Sequence, residues 1–342
     1  MSGSVGAWLY KTIETIRGEK TTDWTFVDRL PDAGLADVPL VSIKPDEAYI
    51  EIFVESMRLK QARRFGTGFH GLVYLFARLS QEGAEDADLA AVSKPAKLAE
   101  LDASNLDRVI TVSDRMMGAV PWRGGSLALE LGLFSVKKGN LLSPLLDYVA
   151  RVSEVGGISF IGQVKPFLPL ITEGMDLIAG QTQDAVIEVA IDTTLTLKES
   201  RICAIVGMPK GSLEEAKLTI DPSDRKLLCD GRPLEEAYCV FSIRSTNQKA
   251  DYGAIPELKA SWAELRSAIQ SNDRTRADNS LGAFSRAVLV SPDLINRDKE
   301  RLVAKAKQLL DSAFPKGPAP VSRKISPSEI GKAQLSDLRL YE

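Results

Sequence analysis

Leu127, Leu129, Leu131 and Leu133 alternate with Ala128, Glu130 and Gly132, and this period of two constrains the fold more than any other feature of the chain. Leucines at every second position scatter around the axis of a helix but line one face of a strand. The same rhythm opens the run from Tyr49 to Leu59, and Leu72 to Leu79 is a second apolar run after the glycine-rich turn Gly66 to Gly71. These two runs read as one long hairpin. Leu89 to Val92, Arg108 to Val112 and Ser126 to Val136 read as further strands. No helical stretches interleave them, as parallel crossovers would require, so the pattern favours an antiparallel sandwich.

The period then changes. Leu142, Leu145, Leu146, Val149 and Val152 share one helical face, and after Gly156-Gly157 a second helical stretch runs from about Gln163 to Ala179. Strand patterns return at Ala185 to Ile191 and Arg201 to Val206, and Lys226 to Cys229 and Tyr238 to Arg244 flank the hairpin-like turn Asp230-Gly231-Arg232-Pro233. Beyond Pro256 the spacing is helical, with Leu258, Trp262, Leu265 and Ile269 at i, i+4, i+7 and i+11. Ser291-Pro292 is expected to open a further helix reaching about Phe314. At the other end, Val5, Trp8, Leu9, Thr12, Ile13 and Ile16 predict an amphipathic helix rather than a secretory signal.

The predicted class is α+β: a mostly antiparallel, β-sandwich-like body with an inserted helical pair and a C-terminal helical region. Residues 1–254 are read as the β-rich body, with its N-terminal helix and a helical insertion at about 140–181; residues 255–314 form the helical region, and 315–342 a linker and extended tail. The most apolar stretch, Ile158 to Gly180, carries Lys165, Pro166, Pro169, Glu173 and Asp176, too many breaks and charges for a membrane-spanning helix.

Composition narrows the chemistry. A single histidine and three cysteines in 342 residues exclude two-histidine metal sites and multi-histidine proton relays. Forty-three basic side chains against 46 acidic ones leave a net charge of -3, so no overall field recruits nucleic acid, and no sequence-specific nucleic-acid partner is expected. Cys203, Cys229 and Cys239 are odd in number and lie in apolar or turn contexts, which reads as reduced thiols in a cytoplasmic protein.

Each catalytic template fails on a specific residue. Gly66-Thr67-Gly68-Phe69-His70-Gly71 matches G-x-G-x-x-G, but Leu72 to Leu79 reads as a strand where a phosphate-binding helix should begin. The kinase form needs a catalytic-loop histidine, and the only histidine is His70 itself. In Gly207-Met208-Pro209-Lys210-Gly211-Ser212 the lysine precedes the second glycine, the wrong order for a Walker loop; this reads as a turn with Ser212 capping a short helix. Any Cys-His pair, such as Cys203 with His70, must use the same histidine. Glu82, Glu85, Asp86 and Asp88, and likewise Asp221, Asp224 and Asp230, read as solvated turn charge rather than calcium ligands. Trp122, in the turn from Gly118 to Gly125, reads as a core-packing tryptophan. No catalytic, cofactor-binding or metal-ligating residue is assigned, and no cofactor is expected.

Two segments remain as contact sites. Arg58, Lys60, Arg63 and Arg64 concentrate positive charge at the tip of the first hairpin beside Phe65, Phe69 and His70, a composition suited to an acidic partner or lipid headgroups. The tail after Pro320 carries Leu335, Leu338, Leu340 and Tyr341, a spacing suited to docking as a linear segment. The leading reading is therefore a non-catalytic interaction or scaffold protein of a cytoplasmic multi-component system, with protein partners. The alternative is a membrane-acting, pore-forming or lipid-binding effector kept soluble by its C-terminal helices. An enzyme using carboxylates is third.

Overall fold

A computed structural model describes residues 24–31, 35, 37–60, 63–64, 67–80, 86–93, 109–137, 185–315 and 333–341. The predicted N-terminal helix, the inserted helical pair at about 140–181, and Phe65 lie outside the described residues. The described chain is α+β, built mostly of antiparallel sheets with three helices in its C-terminal part. It divides into two compact units. Unit 1 comprises residues 1–44, 50–118 and 123–245, and unit 2 comprises 45–49, 119–122 and 246–342.

The strands of the first sheet are β1 (Thr25–Val27), β2 (Tyr49–Arg58), β6 (Val109–Pro121), β9 (Arg201–Val206) and β13 (Tyr238–Thr246), in the order β1-β9-β13-β2-β6. The second sheet joins β3 (Arg63–Arg64), β4 (Thr67–Leu79), β7 (Leu127–Lys137) and β8 (Ala185–Leu195), with β5 (Ala87–Val92) also paired to β4. A three-stranded sheet of β10 (Leu218–Ile220), β11 (Leu227–Cys229) and β12 (Arg232–Pro233) completes unit 1.

The leucine alternation becomes β7, the strand at the middle of the second sheet. It pairs with β4 from Phe69↔Lys137 to Leu79↔Leu127 and with β8 from Leu127↔Leu195 to Val136↔Ala185. Leu127, Leu129, Leu131 and Leu133 are all buried, beside Val73 and Leu75 of β4 and Val189 of β8. In the first sheet, Val206, Ala204 and Val240 pack with Leu218, Ile220 and Leu227 of the small sheet in one core. Cys203 and Cys239 are fully buried on β9 and β13, and burial pushes both thiols well above their ordinary range.

Two pairings differ from the sequence reading. The expected long hairpin is split between sheets: β2 sits beside β13 and β6, whereas β4 pairs with β3, β5 and β7. Alternation dictates which face of a strand is buried but not which strand lies next to it. The Asp230-Gly231 turn forms as expected, with φ of 53° and 73°, but it closes β11 onto the two-residue β12. β13 pairs instead with β9, from Tyr238↔Val206 to Ile243↔Arg201. In the Pro209–Ser212 turn the Ser212 hydroxyl donates to the Pro209 carbonyl at 2.6 Å, and the 3-10 turn that follows starts only at Glu215.

Unit 2 is built on α1 (Pro256–Gln270), α2 (Arg274–Val290) and α3 (Asn296–Ala313). Pro256 occupies the first turn of α1, where no intrahelical donor is lost, and Leu258, Trp262, Leu265 and Ile269 are buried as their spacing predicts. Asp273 caps α2 by accepting from the Arg276 amide at 2.9 Å, and Phe284 of α2 meets Trp262 with ring centroids 5.5 Å apart. The expected start of the last helix at Ser291-Pro292 falls short. The Ser291 side chain accepts from the Asp293 amide in a turn, and α3 begins at Asn296. Trp122 is buried, its amide donating to the Ala48 carbonyl at 3.0 Å.

Candidate functional site

The basic tip is less available than its charge implies. Arg58 Nε donates to the Glu235 carbonyl at 3.0 Å, and Lys60 forms a 2.6 Å ion pair with Glu236 while its amide donates to Glu188 at 3.2 Å. Arg63 and Arg64 form β3, which pairs with Thr67 and Gly68, so the glycine motif from Thr67 onward is strand, not loop. Their side chains, and all of Phe65, lie outside the described residues. Phe69 is half-buried, and His70 is buried on β4 opposite Val136. The one histidine therefore sits inside a sheet.

The tail segment is docked. Trp262 Nε1 donates to the Ala333 carbonyl at 3.2 Å, Arg266 Nη1 to the same oxygen at 2.9 Å, and the Tyr252 hydroxyl to the Ser336 carbonyl at 3.0 Å. Leu335 and Leu340 are buried, Leu338 is half-buried, and the Tyr341 ring meets Tyr252 edge-on at 6.1 Å. Gln334 and Asp337 close a capping box around the single turn Leu335–Leu338.

A buried polar centre anchors the end of this strap. Asp298, fully buried on α3, accepts at Oδ2 from the hydroxyls of Tyr49 and Tyr341, each at 2.7 Å, and at Oδ1 from the Arg297 guanidinium at 3.2 Å. Burial, with the Asp298 carboxylate close by, pushes the Tyr49 hydroxyl far above its ordinary range, and burial does the same for Tyr341. Both stay protonated donors. The Lys249 amide donates to the Tyr341 oxygen at 2.6 Å, and its fully buried ammonium donates to the Ala119 carbonyl at 2.6 Å and faces Asp251 at 3.4 Å. Sequence reasoning missed this centre because its members are scattered, but one signal was present. Asp298 stands one helical step before Leu302, Ala306 and Leu310, on the stripe that α3 buries.

A second buried ionic group lies in unit 1. Glu55 of β2 is fully buried; Arg225 donates to its Oε2, and Arg244 pairs with its Oε1 at 2.6 Å. Asp37 pairs with Arg225 at 2.8 Å, and this guanidinium holds the Asp37 carboxyl below its usual range.

Among the described residues, no group of three or more His, Cys, Asp or Glu side chains is placed to hold a metal ion, and no helix is long and apolar enough to cross a membrane. An open cleft in unit 2 is lined by Asn272, Arg274, Asp278 and Phe314, but its Arg274 is already bound to Asp278 at 2.8 Å and lies over the Phe314 ring. No family model matches the chain, and neither does any curated protein or solved structure.

Proposed function

We propose that this is a non-catalytic interaction protein that engages a protein partner through its C-terminal segment. The supporting observation is how unit 2 holds residues 333–341. Trp262, Arg266 and Tyr252 all donate to main-chain carbonyls of the segment, the mode by which a groove grips a peptide, while Leu335 and Leu340 fill its apolar part. In sequence, a stretch containing Pro315, Pro318 and Pro320 separates the segment from α3. A partner that carries a similar segment, or that captures this one, exchanges with it. The three cysteines, none of them in a disulfide, fit a reducing, cytoplasmic setting for that exchange.

The test deletes residues 333–342 and titrates the truncated chain with a fluorescently labelled peptide of the same sequence. Saturable binding that Trp262→Phe weakens is expected, together with loss of partners in a pulldown that the full-length chain retains. A folded truncated chain that ignores the peptide, with an unchanged partner set, overturns the proposal.

A further inference from the structure

We infer that Arg225 and Arg244 form a carboxylate-recognition clamp in unit 1, occupied in this state by the chain's own Asp37, and that its external ligand is the aspartate or glutamate side chain of a partner's acidic segment.

The clamp is assembled from beneath. Glu55, with no exposed side-chain surface, offers Oε2 to Arg225 and Oε1 to Arg244, and the Ser242 hydroxyl donates to Oε1 as well. Each guanidinium has a further restraint. Arg244 donates from Nε to Ser242 at 3.0 Å and lies 4.1 Å from the centre of the Phe53 ring. Arg225 holds a left-handed backbone, φ 57°, closed by its amide on the Asp221 carbonyl at 2.8 Å and by the Ser56 hydroxyl on its own carbonyl at 2.7 Å. A non-glycine residue kept in that region marks a position whose side-chain direction the fold enforces.

Arg225 holds Glu55 with Nη1 and reaches Asp37 with its second nitrogen, Nη2, while Arg244 faces Asp37 only from Nη2, the nitrogen that also donates to Glu55, at ion-pair rather than hydrogen-bond distance. Asp37 Oδ2 lies 2.8 Å from Arg225 Nη2 and 3.6 Å from Arg244 Nη2. Glu55 is sealed in, whereas the Asp37 side chain is 49% exposed and the arginines are each 17% exposed. Leu35 and Val38 are buried on either side of Asp37, so the backbone is anchored and a rotation of the Asp37 side chain alone opens the clamp. Charge selects the ligand. Two guanidiniums over one buried carboxylate leave a single positive charge once Asp37 turns away, which one carboxylate neutralises and a phosphate dianion overshoots.

The experiment uses the full chain carrying Asp37→Ala, with Asp37→Asn as a second variant that keeps the side-chain shape, and the capped tripeptide acetyl-Ala-Asp-Val-amide as probe. The Arg244 Nε–H resonance reports occupancy. Expected is saturation at a peptide concentration lower than for the unsubstituted chain by on the order of tenfold, in both variants. The effect disappears with Arg225→Gln added, which leaves the Arg244 reporter in place, or with asparagine replacing the aspartate in the peptide. Equal affinity with and without Asp37 overturns the inference. So does equal binding of the asparagine peptide, or tighter binding of inorganic phosphate than of the peptide.

Discussion

The Tyr341 hydroxyl donates a 2.7 Å hydrogen bond to Oδ2 of Asp298, so the next-to-last residue of the chain is tied to a fully buried carboxylate near the start of α3. Tyr49 donates to the same oxygen from a segment more than 200 positions earlier in sequence. A buried carboxylate is stable only while donors surround it, so Tyr341 adds to the stability that Tyr49 and Arg297 already give Asp298.

Tyr341→Phe keeps the ring against Tyr252 and removes one donor from Asp298. A loss of about 1–3 kcal/mol is expected in urea unfolding, accompanied by faster proteolysis between residues 315 and 333. Unchanged stability would show that Tyr49 and Arg297 satisfy Asp298 unaided.

Gly253→Ala tests the seat of the strap from the opposite side. A methyl group there would lie 3.0 Å from the Ser336 amide nitrogen and 3.1 Å from its Cβ, tighter than ordinary contact. The strap must shift by a few tenths of an ångström, so a melting temperature lower by a few degrees and a weakened Tyr252–Ser336 contact are expected by calorimetry and amide exchange.

Glu55→Gln removes the charge that two guanidiniums share while keeping the shape of the side chain. With Arg225 and Arg244 left facing each other over a neutral amide, unit 1 should lose on the order of 3 kcal/mol in urea unfolding. Asp37→Asn, on the exposed rim of the same cluster, should cost no more than about 1 kcal/mol.

Glu130 gives unit 1 a pH dependence. It is buried on β7 between Phe76 and Asp192, and Oε2 has no hydrogen-bond partner. Burial, and next the charge of Asp192, push its carboxyl up to about 7 against the opposing pull of Arg78. Between its ordinary value of 4.5 and 7 the folded chain holds a proton that the unfolded chain has released, so stability falls as pH rises through that window. Glu130→Gln cannot ionise. The variant should be more stable than the parent at pH 8 by roughly 1–3 kcal/mol and nearly equal to it at pH 4, read from denaturation midpoints at both values.

The helices and strands follow from spacing along the chain. Leu127, Leu129, Leu131 and Leu133 and the Leu258–Ile269 stripe carry their burial in their period, because a side chain's direction on a strand or helix depends on position alone, whereas β9 after Arg201 is an unbroken apolar run buried on both faces. Asp230-Gly231 likewise announces its turn, since a left-handed pair is tolerated by those residue types.

Partnership between elements was decided elsewhere. β2 and β4 carry similar patterns and lie in different sheets, and the basic residues Arg58 and Lys60, which look free in sequence, meet Glu235 and Glu236. Both buried polar centres join residues more than 150 positions apart: Glu55 with Arg225 and Arg244, Asp298 with Tyr49. The tail's leucines and tyrosine read in sequence as an element for a partner, whereas the structure packs residues 333–341 on the helices of unit 2 in the same chain. Apolar periodicity states that a face must leave water; the burial of a charge depends on which donors the rest of the fold brings to it, and only the tertiary structure can supply those.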